Sequence, residues 1–234
     1  MTTATRALDI LKKQAVALDD GLTDAELVAI ERRNDFGFSA DHRELLSLAL
    51  PTSRGWANWR ELTDQEIRAW MQSPLEGLIF DVHNNDFWPR PWGRRPSRPE
   101  ARERVARKQL ESVPKLVPVF GHRFAPAIPG LIDAPVFSVH QADVIYYGSD
   151  LADYVQNELR PHTEMSERKR RGIMAFIAAL ARGETPTPVE PDAGEWTGVP
   201  LDAVKPVAFW SNLAEQDPDF IKIEFGVGRV FDNG

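Results

Sequence analysis

The sequence predicts an α+β fold, because helical patterning, a cluster of short strands, further helix and one late strand follow one another along the chain. Three observations carry this. Thr-x-x-Glu boxes open apolar-periodic stretches in the first third. Apolar runs of four or five residues, punctuated by Gly and Pro, crowd into residues 116–148. Near the C-terminus, Ile221, Ile223 and Phe225 alternate with Lys222 and Glu224, a period of two. Regular strand–helix alternation is absent, which argues against a doubly wound sheet, and no internal repeat is visible.

Leu8, Leu11, Ala15 and Leu18 recur at helical spacing and predict a first helix ended by Gly21. Thr23-Asp24-Ala25-Glu26 opens a second, running to about Arg33. A third covers about Ser39 to Ala49, stopped by Pro51. Thr63-Asp64-Gln65-Glu66 opens a fourth, which carries Ile67, Trp70 and Met71. Leu78 to Val82, after Pro74 and Gly77, reads as a strand, and residues 83–97 read as loop. Ser97-Arg98-Pro99-Glu100 reads as a third capping box, heading a polar helix with Glu100–Arg104 and Glu103–Arg107 pairs. Leu116–Phe120, Pro135–Val139 and Val144–Tyr147 are strand candidates whose short spacing favours antiparallel neighbours, although a mixed sheet stays open. Helices are expected around Leu151–Leu159 and Ile173–Leu180, the second closed by Gly183, and residues 184–200 read as irregular.

The 234 residues suffice for one large domain with an extension. Residues 1–183 read as the α+β domain, and 184–234 as an acidic C-terminal extension packed on it. That extension holds ten acids and three bases and so carries the whole net charge of −7. Residues 90–108 hold eight bases and two acids, a local excess that reads as a solvated helix face, or as a contact for an acidic partner or for the chain's own acidic tail. The acidic pI near 5.3 weighs against nucleic acid as a partner. There is no cysteine, hence no disulfide and no thiolate metal site. The N-terminus lacks the apolar centre of a signal peptide and no apolar run reaches bilayer length, so the expected location is the cytoplasm, with no membrane partner.

Five of the seven tryptophans fall between Trp56 and Trp92. They serve either as core plugs or as an aromatic contact patch. The stretches FDVHNNDFWPRPWGRRP, PKLVPVFGHRF and PVFSVHQADVIYYGSDLADYV, with GLTDAELVAIERR and LLSLALP before them, resemble the SUKH superfamily, which includes the fungal Knr/Smi cell-wall regulators and many bacterial toxin-immunity proteins. The resemblance covers about residues 20–160. It implies a curved sheet flanked by helices and used as a binding scaffold, and hence a non-enzymatic protein-binding function, with toxin neutralisation as the leading role and a housekeeping regulatory scaffold as the second.

Trp88, Trp92, Arg95, His122, Arg123 and Tyr147 lie in or beside turns and are aromatic or cationic, the types that dominate interface energetics. One partner-binding cleft formed by these six is the expectation. Neither a nucleophile motif nor a phosphate loop is present, so no catalytic residue, metal or cofactor is assigned. The competing class is a hydrolase or metal enzyme built from Asp81, His83, His122, His140 and Asp143, since such sites form in space and not in sequence.

Overall fold

The computed structural model describes residues 1–160, 167–182, 185 and 198–221. Its helices are α1 (Thr3–Lys13), α2 (Asp24–Asn34), α3 (Ala40–Leu48), α4 (Asp64–Asn84), α5 (Pro99–Leu110), α6 (Leu151–Glu158), α7 (Glu167–Ala181) and α8 (Trp210–Ala214). Strands β1 (Leu18–Asp20) and β2 (Ala49–Pro51) form an antiparallel pair. Strands β3 (Leu116–Phe120), β4 (Arg123–Pro126), β5 (Val136–His140) and β6 (Asp143–Gly148) form a four-stranded antiparallel meander. The fold is therefore α+β, and of the two sheet types left open it is the antiparallel one. The sheet is not curled, contrary to what the resemblance implies. The period-two stretch beyond Ile221 lies outside the described residues, as does most of 184–200. Among the described residues no helix is long and apolar enough to cross a membrane.

Two of the three capping boxes form. Thr23 and Thr63 each accept a hydrogen bond from the backbone N–H of Glu26 or Glu66, while that glutamate accepts from the threonine's own N–H. The third does not form. Pro99 takes the first helical position and makes Arg98 the cap, so Ser97 lies one residue too early to reach the helix. The first helix also ends sooner than Gly21. Ala15 adopts a left-handed φ of 53°, and Leu18 belongs to β1.

The expected strand at Leu78–Val82 is the second half of α4, which runs unbroken through Pro74. Pro74 has no N–H to offer the Trp70 carbonyl, and the Ser73 hydroxyl donates to that carbonyl instead at 2.8 Å. Leu78, Ile79 and Val82 are buried while Phe80 is 49% exposed, a helical stripe. Gly77, read as a breaker, lets the β5–β6 turn approach. A Cβ there would sit 3.0 Å from the Gln141 Cα. Gly148 behaves similarly. It admits the backbone of α6, whose Tyr154 N would lie 2.4 Å from a Cβ. Gly121 does use its freedom, with φ +50° in the two-residue β3–β4 turn.

Alternation along the strands sorts side chains onto two faces of the meander. Leu116, Phe124, Phe137, Val139, Val144 and Tyr146 join Leu78, Val82, Trp92 and Leu110 in one core. Val119, Ala125 and Val136 join α1 and α6 in another, with Tyr147 packed against it. A third core lies among α2, α3, β2 and α4. Residues of the acidic C-terminal stretch enter the first: Val207, Phe209, Trp210, Leu213 and Phe220 are all buried there. The Tyr146 hydroxyl donates to Glu215 at 2.9 Å, and the Trp210 indole to the Pro114 carbonyl at 2.7 Å.

Candidate functional site

The segment between α4 and α5 is too rich in proline to continue either helix: Pro89, Pro91 and Pro96 interrupt it, and Gly93 turns it with φ +76°. A single 3-10 turn, Arg90–Trp92, swings Trp92 inward. Its ring lies edge-on to Trp88 at 5.2 Å and Phe87 at 5.8 Å, and stacks on Phe209 at 6.4 Å. Trp88 is half-buried, and its indole N–H donates to the Gly93 carbonyl at 2.8 Å. Arg95 anchors the segment to the end of α4. It donates to the Val82 carbonyl at 3.0 Å and pairs with Asp86 at 2.9 Å. Arg102 holds the Pro96 and Ser97 carbonyls, and the Arg90 N–H donates to the Phe220 carbonyl.

This loop is thus tied down along its length, yet it presents Arg90, Arg94 and Arg98 to solvent. Their side chains form no ion pair or hydrogen bond with any described residue. Arg94, Arg95 and Arg98, with Pro96, Ser97 and Ala101, line a pocket of about 330 Å³. The basic stretch 90–108 is therefore not uniformly a solvated helix face. Arg95, Arg102 and Arg107 have structural partners, and three loop arginines have none among the described residues. The sequence marks all of 90–108 as basic and singles out Trp88, Trp92 and Arg95, but it does not distinguish Arg90, Arg94 and Arg98 from the paired arginines, because pairing is decided by geometry.

His122, Arg123 and Tyr147 lie elsewhere. Arg123 is only 12% exposed at its side chain. It pairs with Glu158 at 3.1 Å and donates to the Ser138 hydroxyl at 2.8 Å. Its guanidinium sits 3.8 Å from the centroid of the Tyr147 ring, reaching across β5 from β4 to β6. His122 is exposed in the β3–β4 turn, and its pKa is lowered by partial burial, then by Arg123 and His140. Trp88, Trp92 and Arg95 therefore stand apart from Arg123 and Tyr147, since Tyr146 packs with Trp92 while Tyr147 packs with the other core and against Arg123, and His122 lies in the turn between β3 and β4. One cleft cannot contain them all. Arg123 and Tyr147 are internal fasteners of the sheet, and Trp92 is a core residue.

The residues of the competing enzyme reading are also spoken for in part. Asp81 is 4% exposed and accepts from the Asn85 side-chain amide at 2.5 Å and from the Ala142 N–H at 2.7 Å. It caps the β5–β6 turn, where Gln141 has a left-handed φ of 59°. His83 bonds to Glu103 on α5 at 3.0 Å. His140 and Asp143 face each other across the β5–β6 turn. Among the described residues no group of three His, Asp or Glu side chains is placed to hold a metal ion.

Asp81→Ala leaves the Ala142 N–H and the Asn85 amide without their buried acceptor. The expected cost is about 1–3 kcal/mol, read as a lower urea midpoint. An unchanged midpoint would release Asp81 from this structural role and return it to the enzyme reading.

Comparison of the chain with family models, with curated proteins and with solved structures finds no match.

Proposed function

We propose that the protein acts by binding another protein, as an immunity protein that neutralises a toxin in the cytoplasm, and that docking centres on the α4–α5 loop. The observation that carries this is the loop itself: a half-exposed Trp88, with Arg90, Arg94 and Arg98 unpaired among the described residues, on a backbone fixed by Arg95, Arg102 and Trp92. Tryptophan and arginine are the residue types whose truncation costs most at interface centres. A loop already held in place loses little entropy when a partner arrives. The same stretch carries part of the likeness to the SUKH superfamily. Unpaired cations select an acidic surface on the partner, and the charge match raises the encounter rate.

The test is co-expression with a toxin encoded beside the gene. Growth rescue and a complex that co-elutes on a sizing column are expected. Replacing Arg90 and Arg94 by Glu should weaken the complex by about tenfold or more while leaving the thermal midpoint in place. Absence of both rescue and complex would remove the function, and an intact complex in the charge-reversed variant would remove the docking site.

A further inference from the structure

A second pocket lies away from the α4–α5 loop and owes nothing to the docking reading. It encloses about 310 Å³ where the end of α2, the middle of α4, the start of β3 and α8 meet. That is at the small end of the roughly 300–1,000 Å³ usual for ligand sites. Its inner wall is apolar: Met71, Pro74 and Leu75 from α4, Leu116 from β3 and Trp210 from α8. The mouth is polar and carries two cations and one acid, Arg68, Lys115 and Asp35.

The charges at the mouth are not equivalent. Lys115 donates to both the backbone carbonyl and the carboxylate of Asp35, and this hydrogen bond lowers the Asp35 pKa. That pair is self-neutralising. Arg68 has only long contacts, 3.3 Å from one guanidinium nitrogen to the Arg33 carbonyl and to the Asn34 side-chain oxygen. It has no carboxylate partner among the described residues. Gln72 follows one helical turn later and offers an amide beside it. An apolar wall beneath one uncompensated guanidinium suits a compact anion with an apolar body. A carboxylate matches the guanidinium fork in two parallel hydrogen bonds.

The geometry points to a binding site for a small free carboxylic acid with an aromatic or branched-aliphatic body. The body lies against Met71, Leu75 and Leu116, and the carboxylate meets Arg68 with Gln72 beside it. The chain contains four methionines, of which Met71 lines the pocket, so its methyl group reports occupancy.

The experiment is a titration of protein labelled with ¹³C at the methionine methyls, using 3-phenylpropionate as probe and 3-phenylpropan-1-ol as its neutral counterpart, with the Met71 signal assigned by Met71→Leu. Saturable movement of that signal is expected with the acid, and about tenfold weaker binding with the alcohol. Arg68→Gln should lower affinity for the acid by about tenfold and leave the alcohol unaffected. Arg68 is exposed, so its replacement should not disturb folding. Gln72→Glu, also at an exposed position, should weaken the acid by placing a like charge at the mouth. Equal binding of acid and alcohol, no saturable shift up to about 10 mM, or an Arg68→Gln variant that binds the acid as before would each overturn the assignment. A peptide ending in phenylalanine that binds more tightly than the free acid would also overturn it, by making the occupant a polypeptide.

Discussion

Trp92→Ala should lower stability by about 3–5 kcal/mol. The ring is 8% exposed and packs against Phe87, Trp88 and Phe209 in the core between the sheet and α4, α5 and α8. Its removal leaves a space that neighbours on two separate segments cannot easily close. Phe209 is itself edge-on to Trp210 and Phe220, so loss of its stacking partner reaches the C-terminal segment as well. In a chain of this size the midpoint should fall by roughly 10 °C, at about 2–4 °C per kcal/mol. Trp88→Ala should be milder, because Trp88 keeps part of its surface in water already. Calorimetry of the two variants reads the difference. A Trp92→Ala midpoint near that of the parent chain would show that this ring is not a core element, and would restore it to the docking surface.

The sequence was most informative where structure is decided locally. Thr23 and Thr63 meet their glutamates three residues on, and nothing distant competes for them, so two helix starts could be read directly. Leu116–Phe120 and the β5 and β6 strands were legible because an apolar run with turn residues on either side leaves few alternatives. β4 was not. Arg123-Phe124-Ala125-Pro126 alternates over only four residues, and its pairing with β3 is set by a two-residue turn. The second half of α4 was misread because Pro74 and Gly77 look like breakers. Their effects are cancelled by the Ser73 hydroxyl and by an approaching turn, neither of which is visible as a pattern.

The candidate sites divide in the same way. Aromatic and cationic residues in turns could be picked out, but sequence does not show which face of the meander each one takes, and that separates Trp88 and Trp92 from Arg123 and Tyr147. Nor does it show which arginines are already paired. The pocket beneath Arg68 draws on residues from Asn34 to Trp210, so no local signal could announce it.

Acid should weaken the fold through His42. The side chain is 3% exposed and sits edge-on to Phe38 at 5.0 Å, with Trp59 at 6.5 Å, and its Nδ1 is buried without a hydrogen-bond partner. Desolvation lowers its pKa from 6.5 to about 3. Between those values the unfolded chain binds a proton that the folded chain refuses, so stability is full above about pH 6.5 and declines as the pH falls toward 3. Between about pH 7 and pH 4.5 this one group removes roughly 2–3 kcal/mol. Asp41, the next residue along, acts in the opposite sense. Burial raises its pKa, so the folded state takes up a proton there more readily than the unfolded chain and recovers part of the loss. His42→Phe keeps an aromatic ring among Phe38 and Trp59 and removes the titrating nitrogens. Urea unfolding of both proteins at the two pH values should show a smaller acid loss in the variant by that amount. If the two chains lose the same stability on acidification, the proton is taken up elsewhere and His42 is not the acid-sensitive element of this core.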